Sequence, residues 1–141
     1  MYTLKRKATL STPKVILDPG SNTYIIAGRS LPIDADIFYK PILNWFDELL
    51  KSQSGKSIQI QIKLEYFNIA SSKRILFVLY KLLKLQEQGV HVLIRWMYES
   101  TDEDMHELGQ DYSVLVEDLH FVFEPYIAVR SNPIKAQIHM N

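Results

Sequence analysis

The chain has 141 residues, 47% of them apolar, and its 16 basic and 16 acidic side chains cancel to a formal net charge of zero. That length suits a single domain with one core, and no apolar run is long enough to cross a bilayer, so membrane insertion is not expected. Having no cysteine excludes disulfides, thiol catalysis and Cys-ligated zinc. The charged segment Met1 to Lys7 is followed by Ala8-Thr9-Leu10-Ser11-Thr12-Pro13 and not by an apolar stretch with a cleavage site, which predicts a cytoplasmic protein.

Lys14 to Leu17 and Thr23 to Ala27 flank the turn formers Asp18-Pro19-Gly20-Ser21-Asn22 and read as a β-hairpin. Gly28 to Asp34 is a loop, and Asp34 is placed to cap a helix from Ala35 to Leu50 with Phe38, Ile42, Trp45 and Leu49 on one stripe. Pro41 should kink or delay that helix, because it lacks a backbone donor. The polar connection Gln53-Ser54-Gly55-Lys56 leads into Ser57 to Tyr66, where apolar and polar residues alternate throughout. Such alternation buries one sheet face only, so helices are expected on a single face, unlike a doubly wound parallel sheet.

A second helix is expected from Ile69 to Gln88, with Ile75, Leu76, Leu79, Leu82 and Leu83 inward and Gly89 as its left-handed stop. Val90 to Tyr98 reads as a strand. Thr101 with Asp104 has the spacing of a capping box, opening a helix with the stripe Met105, Leu108, Tyr112, Leu115 and Leu119. His120 to Val129 reads as a last strand, pushed to an edge or a bend by Pro125. Ile134, Ala136, Ile138 and Met140 alternate in a C-terminal extension, residues 130–141, which adds an edge strand or stays loose. The whole is one domain, 1–141, with its core in about 12–129. Its predicted class is α/β, a small two-layer sandwich of a mixed sheet with helices on one face.

The most informative segment is Leu64 to Lys73, an alternating strand that stops at Asn68 with a helix starting immediately beyond it. Free backbone N–H groups and the positive end of a helix dipole converge at such a junction, which makes it an anion site and the natural place for a regulatory phosphate. Arg29, Lys73 and Arg74 can add positive charge nearby, and Tyr66, Phe67, Phe77 and Tyr80 are aromatics of a kind that mark binding surfaces. Farther on, no Lys or Arg occurs between Arg95 and Arg130, while Glu99, Asp102, Glu103, Asp104, Glu107, Asp111, Glu117, Asp118 and Glu124 all do. This argues against nucleic-acid binding and leaves a solvated helix face or a docking surface for a basic partner. The histidines at 91, 106, 120 and 139 show no helical zinc spacing, and no phosphate loop, nucleophile elbow or catalytic triad pattern is present. Neither a metal, a cofactor nor a catalytic residue is therefore expected.

Tyr66-Phe67-Asn68 with Ser71 and Lys73 resembles the phosphorylation segment of the SiaC family of bacterial regulatory phosphoproteins, whose pattern there is Tyr-Phe/Leu-Asn-Thr-Ser-Ser. Gly28-Arg29-Ser30-Leu31-Pro32 is similar to that family's Gly-x-Ser-Tyr-Pro loop, and Phe38 through Trp45 to its Phe-Phe-x-Pro-Ile/Leu-x-x-Trp helix. Trp96-Met97-Tyr98-Glu99, the acidic run after it and Glu107-Leu108-Gly109 complete the ordered set. The resemblance covers roughly Thr12 to Val129 and implies a STAS-like fold, as in anti-sigma-factor antagonists. It further implies a non-catalytic partner-switching role in cyclic di-GMP signalling and biofilm formation. A kinase phosphorylates the threonine, a PP2C-type phosphatase removes the phosphate, and the unmodified form binds and activates a diguanylate cyclase. The partner-binding residues it implies are Arg29, Ser30, Tyr66, Phe67, Asn68, Ile69, Ala70, Ser71 and Lys73.

The family's phosphorylated threonine falls on Ile69, which has no hydroxyl, and Ala70 also replaces a hydroxyl residue. Three readings follow. The phosphate has moved to Ser71 or Ser72, the chain is locked in its unphosphorylated form, or the fold serves a different contact. Ile keeps the β-branching of Thr while excluding charge, which favours the locked form. A small-ligand-binding protein or an enzyme reusing the same sandwich is the alternative of a different class.

Overall fold

In the computed structural model, residues 1–52 and 57–128 are described. Nine elements follow one another: β1 (Leu4–Arg6), β2 (Lys14–Asp18), β3 (Thr23–Ser30), α1 (Ala35–Ser52), β4 (Ile58–Phe67), α2 (Ile69–Glu87), β5 (Val92–Glu99), α3 (Glu103–Leu115) and β6 (His120–Tyr126). The six strands form one sheet in sequence order, antiparallel between β1, β2 and β3 and parallel from β3 to β6. Each parallel step crosses over through a helix and moves in the same direction along the sheet. A right-handed crossover repeated in one direction puts every helix on the same face, giving the two-layer α/β sandwich expected.

The register explains why that face is the core. Val15 pairs with Ile26, Ile26 with Ile62 and Ile62 with Trp96, so one buried row crosses four strands, and Leu17, Tyr24, Ile60 and Ile94 make the next. Against these rows α1 packs Tyr39, Ile42, Trp45, Phe46 and Leu49, and α2 packs Ile75, Val78, Leu79, Leu82 and Leu85. Burying a large apolar side chain contributes about 1.5–3 kcal/mol, so these layers dominate folding. The opposite face carries Gln59, Gln61, Lys63 and Glu65, with Arg95 held bidentate by Glu124 at 2.9–3.1 Å and Lys63 over the Tyr126 ring.

Several expectations need correction. Pro41 lies inside α1 and neither delays it nor ends it; the burial of its neighbours Tyr39 and Ile42 outweighs one missing donor. The stripe shifts as well, with Tyr39 fully buried and Phe38 only partly. The cap of α3 is Asp102, whose side chain accepts from the Met105 N–H at 3.0 Å, so Thr101 with Asp104 is not the capping pair. Because α3 ends at Leu115, that side chain is exposed, and the core is reached instead by Val116 and Leu119 beyond the helix. The last strand ends at Tyr126, short of Val129, and the proposed tail strand lies outside the described residues. The edge strand β1 has no counterpart among the sequence expectations; it pairs Leu4 with Leu17, and Trp45 Nε1–H donates to the Tyr2 carbonyl at 2.8 Å. Among the described residues no helix is long and apolar enough to cross a membrane.

Candidate functional site

Parallel strands aim their carboxyl ends at the N-termini of the helices that follow, so the sheet gathers the starts of α1 and α2 at one end. There β3 changes register between Gly28 and Arg29, and Gly28 adopts φ 118°, a conformation open to glycine and strained for other residues. The bulge sets Arg29 beside Tyr66 and Ser30 beside Phe67. Ser30 then points inward with no exposed surface, while Arg29 faces solvent.

The β4-to-α2 junction closes as its sequence predicts. Asn68 is extended, at φ −84° and ψ 172°, and its side-chain oxygen accepts from the Ser71 N–H at 2.9 Å. The carbonyl of Ser30 in turn accepts from the Asn68 N–H at 3.1 Å, which ties the cap to the end of β3. No intrahelical carbonyl can reach the N–H groups of Ile69 and Ala70, so they remain as donors at the positive end of the helix.

The expected site residues split into two groups. Tyr66, Ile69, Ala70, Lys73 and Arg29 are exposed, with Ile69 at 90%, and Phe67 and Asn68 are half-buried. Ser30 and Ser71, by contrast, are fully buried. Ser30 Oγ lies 2.6 Å from the Tyr39 hydroxyl and donates to Ser71 Oγ at 2.9 Å, forming a closed polar triad below the helix start. Ser71 thus fixes α2 from beneath and does not face solvent. Ser72 is the more accessible hydroxyl; its Oγ donates to the Ile69 carbonyl at 2.8 Å. Phe67 packs against the core, and Phe77 lies half-buried under the Arg74 guanidinium at 5.5 Å, itself ion-paired with Asp36.

Sequence reasoning missed two tyrosines that hold this junction. Tyr39 closes the triad, and the Tyr112 hydroxyl reaches from α3 to donate to the Ser72 carbonyl at 2.7 Å. Their signal was weak, since each sits in an ordinary helical pattern and its partner lies far along the chain. Burial pushes the Tyr39 hydroxyl up to about 12 from an ordinary 10.0, against the lowering effect of its bonds to Ser30 and Ser71, and burial raises Tyr112 as well. A group whose folded-state pKa exceeds its unfolded value stabilises fully below the unfolded one and loses that contribution as pH rises. The urea midpoint should therefore fall between pH 10 and 12, and Tyr39→Phe should flatten the fall; an identical slope in the variant would remove Tyr39 from that role.

Between the α2 start and the first turn of α3 runs an open cleft of about 320 Å³ whose walls include Tyr66, Ile69, Met105 and Leu108. A second surface groove lies between α1 and α2, bordered by Lys40, Arg74, Phe77 and Lys84. Among the described residues no group of acidic or histidine side chains is arranged to hold a metal ion.

With this geometry established, the pattern described as "SiaC family regulatory phosphoprotein" matches residues 6–126, most of the chain. The chain belongs to the SiaC family. One relative, an uncharacterised protein of Pseudomonas aeruginosa, is 25% identical over 123 residues, which make up 87% of this chain and 94% of that protein. The structure of apo-SiaC from P. aeruginosa superposes with a TM-score of 0.78 at 23% identity, covering 88% of this chain and 99% of that one. SiaC in a complex with the diguanylate cyclase SiaD, described there as its activator, gives 0.79 at 23% identity over 87% of this chain and 99% of that chain. The fold is thus that of SiaC, and the segment around Asn68 occupies an exposed helix start in this chain.

Proposed function

We propose that this family member is a non-catalytic, cytoplasmic partner-switching regulator that binds and activates a diguanylate cyclase through the α2 start. Ile69 keeps it in the form competent to bind, beyond reach of the family's kinase and PP2C-type phosphatase. One observation carries this reading: the first residue of α2 is a β-branched apolar side chain with 90% of its surface exposed, beside Tyr66, which is itself 55% exposed. Isolated exposed apolar residues are common, but a pair on a helix start that the fold fixes from two sides is a ready contact. The SiaC of P. aeruginosa, which shares the fold, is crystallised with a cyclase as its activator. The cleft beside the junction is open at the surface, which favours a macromolecular partner over a small ligand.

A phosphate at this position would add about −1.5 to −2 charges at neutral pH, and a buried charge without a counter-ion costs several kcal/mol. The test is cyclic di-GMP production by the diguanylate cyclase of the same organism, titrated with purified protein. Wild type should stimulate, Ile69→Thr should stimulate equally in the absence of a kinase, and Ile69→Glu should need at least tenfold more protein for half-maximal effect. Stimulation unaffected by Ile69→Glu overturns the docking site, and stoichiometric phosphate on Ser72 in protein from its native cells overturns the lock.

A further inference from the structure

Taking the α2 start as the docking site, we infer that the adjoining cleft between α2 and α3 receives a basic, amphipathic helix of the partner, with apolar residues inward and Lys or Arg along its flanks. The floor of the cleft is apolar: Met105 is buried, Phe67 and Leu108 are half-buried, and Tyr66 and Ile69 stand exposed at its mouth. Its rim is acidic. Glu65, Asp102 and Asp104 border it, no base lines it, and among the described residues none of the three forms an ion pair.

The contrast with the groove between α1 and α2 decides the sign of the partner. That groove carries Lys40, Arg74, Lys81 and Lys84 against Asp36 and Asp47, with two of those bases already paired to the two acids. Carboxylates therefore concentrate on one side of α2 and amines on the other, although the chain as a whole is neutral. Past the rim Glu65, Glu99 and Asp102 border a neighbouring groove together with Lys63, whose amine lies over the Tyr126 ring. An apolar floor with three carboxylates on its rim selects an occupant whose stripe fills the floor and whose flanks carry the other sign. Exposed charge pairs of this kind add modest affinity each, and several together set orientation and association rate.

Two labelled helical peptides with the same leucine stripe, one flanked by lysines and the other by glutamates, test this by fluorescence anisotropy at low and physiological salt. The lysine-flanked peptide should bind at least tenfold tighter, and salt should narrow the gap. The triple variant Glu65→Gln, Asp102→Asn, Asp104→Asn should abolish the preference and still fold, because Asn caps a helix as well as Asp does. Leu108→Ser should weaken both peptides. Equal affinities, or no binding by either, overturns the inference. Self-association on sedimentation would put a second copy in the cleft, and tenfold tighter peptide binding by Arg130→Glu, Lys135→Glu would put the chain's own residues 129–141 there; either result overturns it too. The cyclase titration reads Ile69 and the peptides read the rim, so failure of one is separable from failure of the other.

Discussion

Gly109→Ala should cost the protein up to about 2 kcal/mol of stability, although alanine is the better helix former. An ideal Cβ at this position would overlap the Trp96 indole, closest to Nε1 and within 2.5 Å of Cδ1 and 2.7 Å of Cε2. The ring has nowhere to go. Trp96 is 1% exposed, its Nε1–H donates to the Met105 carbonyl at 3.0 Å, and its ring meets the Tyr112 ring at a centroid distance of 5.6 Å and an interplanar angle of 69°. Helix propensity returns about 1 kcal/mol for Gly to Ala, whereas overpacking a filled core costs about 1–3 kcal/mol and occasionally more. Displacing Trp96 would also move Tyr112, whose hydroxyl holds the first turn of α2 through the Ser72 carbonyl. The variant should thus lose partner binding along with stability. Urea unfolding followed by far-UV circular dichroism measures the first effect; an unchanged midpoint would mean that α3 can lift from the sheet at no cost.

This glycine shows what the sequence can disclose and what it cannot. Its place in Glu107-Leu108-Gly109 was legible as a fragment of the family pattern, but the reason for it, an indole from β5 lying against the α3 backbone, comes from tertiary contact. Elements with a strong local rule were legible. The strict alternation of β4, the Asn68 cap and Gly89 at φ 100° each follow from a few adjacent residues. The α3 cap falls one residue later than Thr101 because Thr101 and Asp102 are both good caps, and only the Asp102 bond to Met105 decides between them. Strand β1 spans three residues, too short for a period, and exists because β2 offers it an edge. The exposed half of the candidate site was similarly plain, since Tyr66 and Ile69 stand out from a capped junction. Its buried half was not, because Ser30 and Ser71 meet across 41 residues and neither carries a local sign of burial.

That buried half separates the two serines once a negative charge is placed on each. Ser71→Asp should destabilise by about 3–5 kcal/mol, as expected for a buried carboxylate left without a counter-charge, because the side chain has no exposed surface and its oxygen is hydrogen-bonded to Ser30 and Tyr39. Ser72→Asp should stay within about 1 kcal/mol of wild type. That side chain is half-exposed in the first turn of α2, where the helix dipole favours a negative charge by about 0.3–1 kcal/mol and offsets the lost bond to the Ile69 carbonyl. The pH dependence gives a second reading. Burial raises the pKa of a carboxylate at position 71, so the folded variant holds its proton more tightly than the unfolded chain does, and stability should recover as pH falls. At position 72 no such recovery is expected. Urea midpoints for both variants from neutral to mildly acidic pH decide the matter. Equal midpoints at neutral pH would mean that the Ser30–Tyr39–Ser71 triad opens easily, returning Ser71 to the hydroxyls that a kinase could reach. A large gap that closes on acidification leaves Ser72 as the only first-turn hydroxyl able to carry a phosphate with the fold intact, and makes the exchange of Thr for Ile at position 69 a loss that Ser71 cannot repair.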